Sequence, residues 1–228
     1  MDRAHFEDPE FVQRYAEGPG RFVPGYAVMQ RMAAQLIAEK IGAEGDVLVL
    51  GAGGGLELEA FARAQPRWRY IAVDPAREML SAARERMVAA GAERRVEWTE
   101  GYVFDAPSRQ YDAATALLTL HFVADDGAKL ETLQATRARL KPGAPFVLVD
   151  LCLDKASADY DRHLSRYRAF ALESGAEAGD VADTVARVRN LINTVSPDRN
   201  VALLAAAGFA GVDLFFAGLS WRGWVSYA

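Results

Sequence analysis

A run of four apolar residues, Val47-Leu48-Val49-Leu50, breaks into Gly51-Ala52-Gly53-Gly54-Gly55, and this junction constrains the fold more than any other stretch. The run is short and uninterrupted by polar residues, which reads as a strand buried on both faces. The glycines end it in a tight turn, and residues 56–64 then suit a helix. The alternation continues. Residues 68–73 read as a second strand stopped at Asp74-Pro75, and Met79, Leu80, Ala83 and Met87 share one helical face. Residues 96–99 and 113–118 read as a third and a fourth strand. Leu130, Leu133 and Leu140 mark a helix ended by Lys141-Pro142-Gly143, and residues 146–149 are a fifth strand. Strands alternating with helices of about 10–15 residues indicate βαβ units, a mostly parallel sheet and helices on both of its faces.

The flanks depart from this rhythm. Before the first strand, Val28, Met32 and Leu36 make a helical stripe. After the fifth, residues 157–190 are helical and charged, with a break expected at 174–179. A last helix leads to Ala207-Gly208-Phe209, followed by strand-like runs over 212–216 and 221–227. A single domain over 1–228 is expected, with a helical lid over 1–45, a ligand-binding core over 46–153, and a helical insertion with terminal strands over 154–228.

Composition narrows the partners. The net charge of −5 argues against a broad basic surface for nucleic acid, so a small-molecule substrate is expected. No apolar run approaches the ~18–20 residues that span a bilayer. The first residues, Met1-Asp2-Arg3-Ala4-His5, lack the pattern of a signal peptide. The lone cysteine, Cys152, has no internal partner, and a reducing cytoplasm is the expected compartment. No metal is expected, because His5, His121 and His163 are far apart and no paired cysteines occur. No Gly-x-Ser-x-Gly elbow is present either.

In an open parallel sheet, ligands bind beyond the carboxyl ends of the strands, where strand order reverses. The glycine loop falls at such a place. A dinucleotide fingerprint would need glycine at the sixth position from Gly51, which is Leu56. The alternate spacing Gly51-x-Gly53-x-Gly55 instead resembles that of class I S-adenosylmethionine (SAM) methyltransferases. Asp74, ending the second strand, is placed to accept the hydroxyl protons of a ribose. The plain alternatives are a ligand-free turn for the loop and a turn aspartate before Pro75.

Further segments narrow the resemblance. Arg21-Phe22-Val23-Pro24-Gly25-Tyr26, Leu118-Thr119-Leu120-His121-Phe122-Val123, Leu140-Lys141-Pro142-Gly143 and Ala207-Gly208-Phe209 are similar, in order and approximate spacing, to segments of the bacterial carboxy-SAM synthase family. The resemblance implies a Rossmann-like α/β fold with a seven-stranded sheet whose last strand is antiparallel, and a homodimer. It implies SAM contacts at Tyr26, at Gly51, Ala52 and Gly53 with Gly55 completing the loop, at Asp74 and Pro75, and at Tyr102 and Val103. Three departures stand out. Val49 replaces an acid, Leu117 stands at a cofactor position where asparagine is expected, and Leu203 stands where that family has an arginine for the carboxylate of carboxy-SAM. Arg199 lies about one helical turn away. Losing an arginine–carboxylate pair in a dry pocket costs about 2–5 kcal/mol, so the expected activity is methyl transfer from ordinary SAM to a small molecule. The alternatives are a carboxy-SAM synthase acting on SAM and prephenate, and a non-catalytic SAM-binding module.

Methyl transfer from a sulfonium is an in-line displacement governed by alignment, with a base needed only when the acceptor must shed a proton. His121 after the fourth strand and Asp150 ending the fifth fall on the catalytic rim by position, His121 as base and Asp150 as its orienter. The plain alternatives are a packed, inert histidine and a turn-capping aspartate. Tyr15, Phe22, Tyr26, Phe170, Phe216, Trp221 and Trp224 are either the lining of an apolar acceptor pocket or plain core, whereas Met79 and Met87 read as core.

Overall fold

In the computed structural model, which describes residues 6–228, the glycine junction lies at the centre of the molecule. The polar segment 1–5, with His5, lies outside the described residues. Strand β1 (Glu44–Leu50) is flanked by β2 (Arg67–Asp74) and β4 (Ala113–Leu117). With β3 (Val96–Glu100), β5 (Pro145–Leu151), β6 (Ala210–Gly218) and β7 (Trp221–Tyr227), they form one seven-stranded sheet of order β3-β2-β1-β4-β5-β7-β6. Strands β1 to β5 are parallel, and β7 runs antiparallel to both β5 and β6. The chain winds outward from β1 to β3 and then returns to the other side of β1 to lay down β4. The connections leaving the carboxyl ends of β1 and β4 therefore pass to opposite faces of the sheet, and this is the switch point.

The nine helices of the described residues that matter here are α1 (Pro9–Arg14), α2 (Gly18–Phe22), α3 (Tyr26–Ile41), α4 (Leu56–Ala64), α5 (Arg77–Ala89), α6 (Ala128–Ala138), α7 (Tyr160–Glu173), α8 (Ala178–Asn190) and α9 (Pro197–Ala206). Alternation along the buried strands sends Val47, Val49, Val147 and Val149 to one face, where Met29, Ala33, Leu58, Phe61 and Tyr167 cover them. Leu48, Leu50, Ile71 and Leu148 point to the other face, against Leu133, Leu203 and Leu204.

The stripe expected on α3 is one residue out of phase. Val28 is 46% exposed, and the buried row is Met29, Ala33 and Ile37. Both rows are apolar, so periodicity alone could not choose between them. The break in the helical insertion falls at 174–177, between α7 and α8, close to the expected glycine-rich stretch. Among the described residues, no helix is long and apolar enough to cross a membrane.

Candidate active site

A cleft lies at the switch point, its empty space of about 810 Å³ continuous with open solvent. Its walls come from the carboxyl ends of four strands: Leu50, Gly51 and Gly53 after β1, Val73 to Ala76 after β2, Gly101 to Val103 after β3, and Leu117 to Thr119 after β4. Phe6, Tyr15 and Phe122 close it from the front.

The three alternate glycines have distinct physical reasons. All have positive φ, of 67°, 49° and 78° for Gly51, Gly53 and Gly55. At Gly53, a Cβ would also stand 3.3 Å from the Tyr15 hydroxyl on the cleft wall. At Gly55, it would stand 2.8 Å from the Ala83 backbone, so this glycine serves the packing of α4 against α5. Gly55 does not line the cleft, and neither does Ala52, whose amide donates to the Val73 carbonyl at 3.1 Å.

Asp74 is buried on the cleft wall. Its Oδ2 accepts the Gly53 N–H at 2.9 Å and its Oδ1 accepts the Ala76 N–H at 2.9 Å, tying the glycine loop to the turn after β2. Burial raises its carboxyl above the usual range, opposed by these two amide bonds. Each oxygen keeps a lone pair for a ligand hydroxyl. Pro75, Tyr102, Val103 and Leu117 join it on the cleft wall. Asp105 accepts the Tyr102 N–H at 2.8 Å and caps the short turn there. Tyr26 lies outside the cleft lining. Its hydroxyl accepts from Gln30 at 2.9 Å, and burial, reinforced by Tyr15 and Glu57, pushes it well up.

His121 and Asp150 meet, but not on the rim. The His121 Nδ1 lies 2.7 Å from Asp150 Oδ1, which also accepts the His121 backbone N–H at 2.8 Å. Asn200 Nδ2 donates to Asp150 Oδ2 at 3.2 Å. Asp150 is fully buried and His121 nearly so, and neither lines the cleft. The reason is Phe122, which forms the wall and packs on the imidazole with ring centres 4.4 Å apart. The turn carrying His121 is clamped from the insertion side. Lys129 Nζ donates to the carbonyls of Leu120 at 2.8 Å and Asn193 at 3.2 Å, and Asn193 N donates to the His121 carbonyl at 2.8 Å. The Asn193 side chain reaches the Phe122 carbonyl at 3.5 Å.

Other expectations shift. Of the seven aromatics, Tyr15 alone lines the cleft, while Met79, read as core, forms part of its wall. Leu203 is buried in the core beneath α9 and faces no cleft. Arg199 is held at the surface by Asp125 through bonds of 2.8 and 2.9 Å. Cys152 is buried and its thiol is pushed up to about 12, mainly by desolvation. Among the described residues, no group of three or more metal-ligating side chains occurs.

Sequence reading missed Leu118 and Thr119 as cleft residues. Leu118 has a φ of 59°, a left-handed conformation that is costly for a branched side chain and recurs at functional sites. The Thr119 hydroxyl bridges the carbonyls of Leu50 and Leu117 at 3.2 and 3.0 Å, holding the two strand ends. Only the placement of the Leu118–Val123 segment after β4 hinted at either.

Residues 48–146 match the family model described as a methyltransferase domain. The match spans the glycine loop, Asp74 and the β4 turn that build the cleft. Over these residues the chain is similar to methyltransferase domains. It is 25% identical to the carboxy-SAM synthase of Wolinella succinogenes over 91% of this chain and 84% of that protein. Its fold is similar to that of PigF with S-adenosylhomocysteine (TM-score 0.70, 16% identity, 99% of this chain and 61% of the other). Human N-acetylserotonin methyltransferase in complex with SAM is also similar (TM-score 0.58, 17% identity, 95% and 58%). The chain spans about three fifths of the length of these two solved structures.

Proposed function

We propose that this methyltransferase uses unmodified SAM and acts on a small-molecule acceptor. The observation that carries the choice of methyl donor is the charge of the cleft: Asp74 is its one acidic side chain, with no lysine or arginine among the described residues that line it. A cofactor bearing an extra carboxylate would be desolvated there without a counter-charge. The two residues that might have supplied one are engaged elsewhere or apolar, Arg199 with Asp125 and Leu203 in the core. When bound, SAM supplies a methyl group activated on a sulfonium.

The residues present fit this cofactor. Asp74 takes the ribose, Tyr102 and Val103 flank the adenine, and the Gly51–Gly53 backbone lies against the methionine end, with Pro75 and Leu117 as apolar walls. Tyr26, Ala52 and Gly55 support that loop from behind. His121, held through Nδ1 by Asp150, is the candidate proton acceptor for a hydroxyl nucleophile, standing behind Phe122 rather than on the cleft. Residues 1–228 act as one domain, a cytoplasmic homodimer that does not bind nucleic acid directly. The lone buried thiol and the negative net charge support the location and the absence of a polyanion partner.

Mass spectrometry of the nucleoside that co-purifies with the protein tests the choice of donor. SAM or S-adenosylhomocysteine is expected. Recovery of carboxy-SAM would make synthesis of that compound the leading function.

A further inference from the structure

With ribose at Asp74 and adenine at Gly101 to Val103, the amino-acid end of the cofactor would be held by the rest of the cleft wall, the glycine loop and Tyr15. That end carries an ammonium group. The cleft wall there (Gly51, Gly53, Leu117, Leu118, Thr119 and Tyr15) holds no acid, and the strand position before the loop is Val49. One acid lies behind this wall. Glu57, in the first turn of α4, is buried beside the loop, and one carboxylate oxygen accepts the Thr115 hydroxyl of β4. Thr115 stands directly opposite Val49 in the β1–β4 pairing, so Glu57 reaches the place an acid at Val49 would occupy.

We infer that Glu57 supplies the counter-charge for the ammonium group of the cofactor's methionine end, with the Tyr15 hydroxyl as the intervening contact. This rests on the proposed use of SAM. The groups around Glu57 agree with it. Tyr15 of the front wall, Tyr26 of α3 and Tyr70 of β2 all feel the Glu57 charge, and Arg86 of α5 acts on Tyr26. None of these contributes a cation to Glu57 itself. Burial accordingly pushes the Glu57 carboxyl up to about 8, against the pull of the Thr115 hydroxyl. The ligand-free site is therefore neutral at pH 7. An arriving ammonium favours the carboxylate, so binding must expel the Glu57 proton to solvent. Affinity should rise with pH up to about 8 and level off above it.

The test is titration calorimetry with S-adenosylhomocysteine and with 5′-methylthioadenosine, which lacks the amino-acid end. In two buffers of different ionisation enthalpy at pH 7, the wild type should release roughly one proton on binding S-adenosylhomocysteine and none on binding methylthioadenosine. Between pH 6 and 8 the first affinity should strengthen several-fold per unit while the second stays flat. Glu57→Gln should weaken S-adenosylhomocysteine by about tenfold or more at pH 8, remove the proton release, and leave methylthioadenosine within about twofold. Proton-neutral, pH-independent binding of S-adenosylhomocysteine by the wild type would overturn the inference, whether or not the variant folds. Failure of the wild type to bind either ligand would instead overturn the SAM reading on which it rests.

Discussion

Asp74 and Asp150 both stand at or near the carboxyl ends of parallel strands, β2 beside β1 and β5 two places from β1 on the other side, yet their surroundings give them different work. Asp74 accepts two backbone amides and keeps one edge on the cleft, where a ligand can complete its hydrogen bonds. Asp150 is enclosed, its donors being the His121 amide and imidazole and the Asn200 side chain. A strand-end carboxylate is thus a ligand group where backbone alone surrounds it, and a scaffold for another side chain where helices cover it. The helical insertion after β5 makes the difference, because α9 brings Asn200 over one aspartate and nothing comparable covers the other.

Substitutions can break this contrast. Asp150→Ala should have the largest effect, a loss of about 3–4 kcal/mol in urea unfolding, because three buried donors lose their acceptor. A loss below about 1 kcal/mol would mean that water enters the site and the enclosure is not real. Asp74→Ala should act on ligand rather than fold, weakening SAM by about 1.5–3 kcal/mol in titration calorimetry. An unchanged dissociation constant would remove the ribose assignment. Gly53→Ala should cost about 1–2 kcal/mol of stability, since its φ of 49° is left-handed, and crowd the cleft against Tyr15. Normal SAM binding by that variant would show that the loop is only a turn. The smallest effect is expected for Arg199→Ala, next to Asn200 on α9. Its exposed pair with Asp125 is worth less than about 1 kcal/mol, and SAM binding should not change.

The cofactor half of the site was the legible half. Apolar strand runs, spaced glycines and an acid before proline are local signals, and each is set by the backbone geometry of a few adjacent residues. Gly51, Gly53 and Asp74 were placed in this way, Pro75, Tyr102, Val103 and Leu117 by the family resemblance, and all line the cleft. The other half depends on contacts distant in sequence. Nothing near His121 announces that Phe122 will screen it, or that Asn193 will hold its carbonyl from the far end of the insertion. Leu203 shows the same limit. A matching register in the last helix fixed its position along the chain but not its direction, and it packs into the core. Tyr15 was one of seven aromatics that the sequence could not sort into lining or core, because it reaches the cleft from the front segment, and Glu57 went unread because it sits in an otherwise ordinary helical turn.

The clamp on the β4 turn carries a consequence for how such a protein can diversify. Three successive carbonyls, those of Leu120, His121 and Phe122, are held by Lys129 and Asn193. The insertion is therefore fastened to the turn bearing His121. A descendant could exchange the outer faces of α7 and α8, but the residue at 193 is a fixed rivet. Lose it, and the imidazole would no longer be aimed.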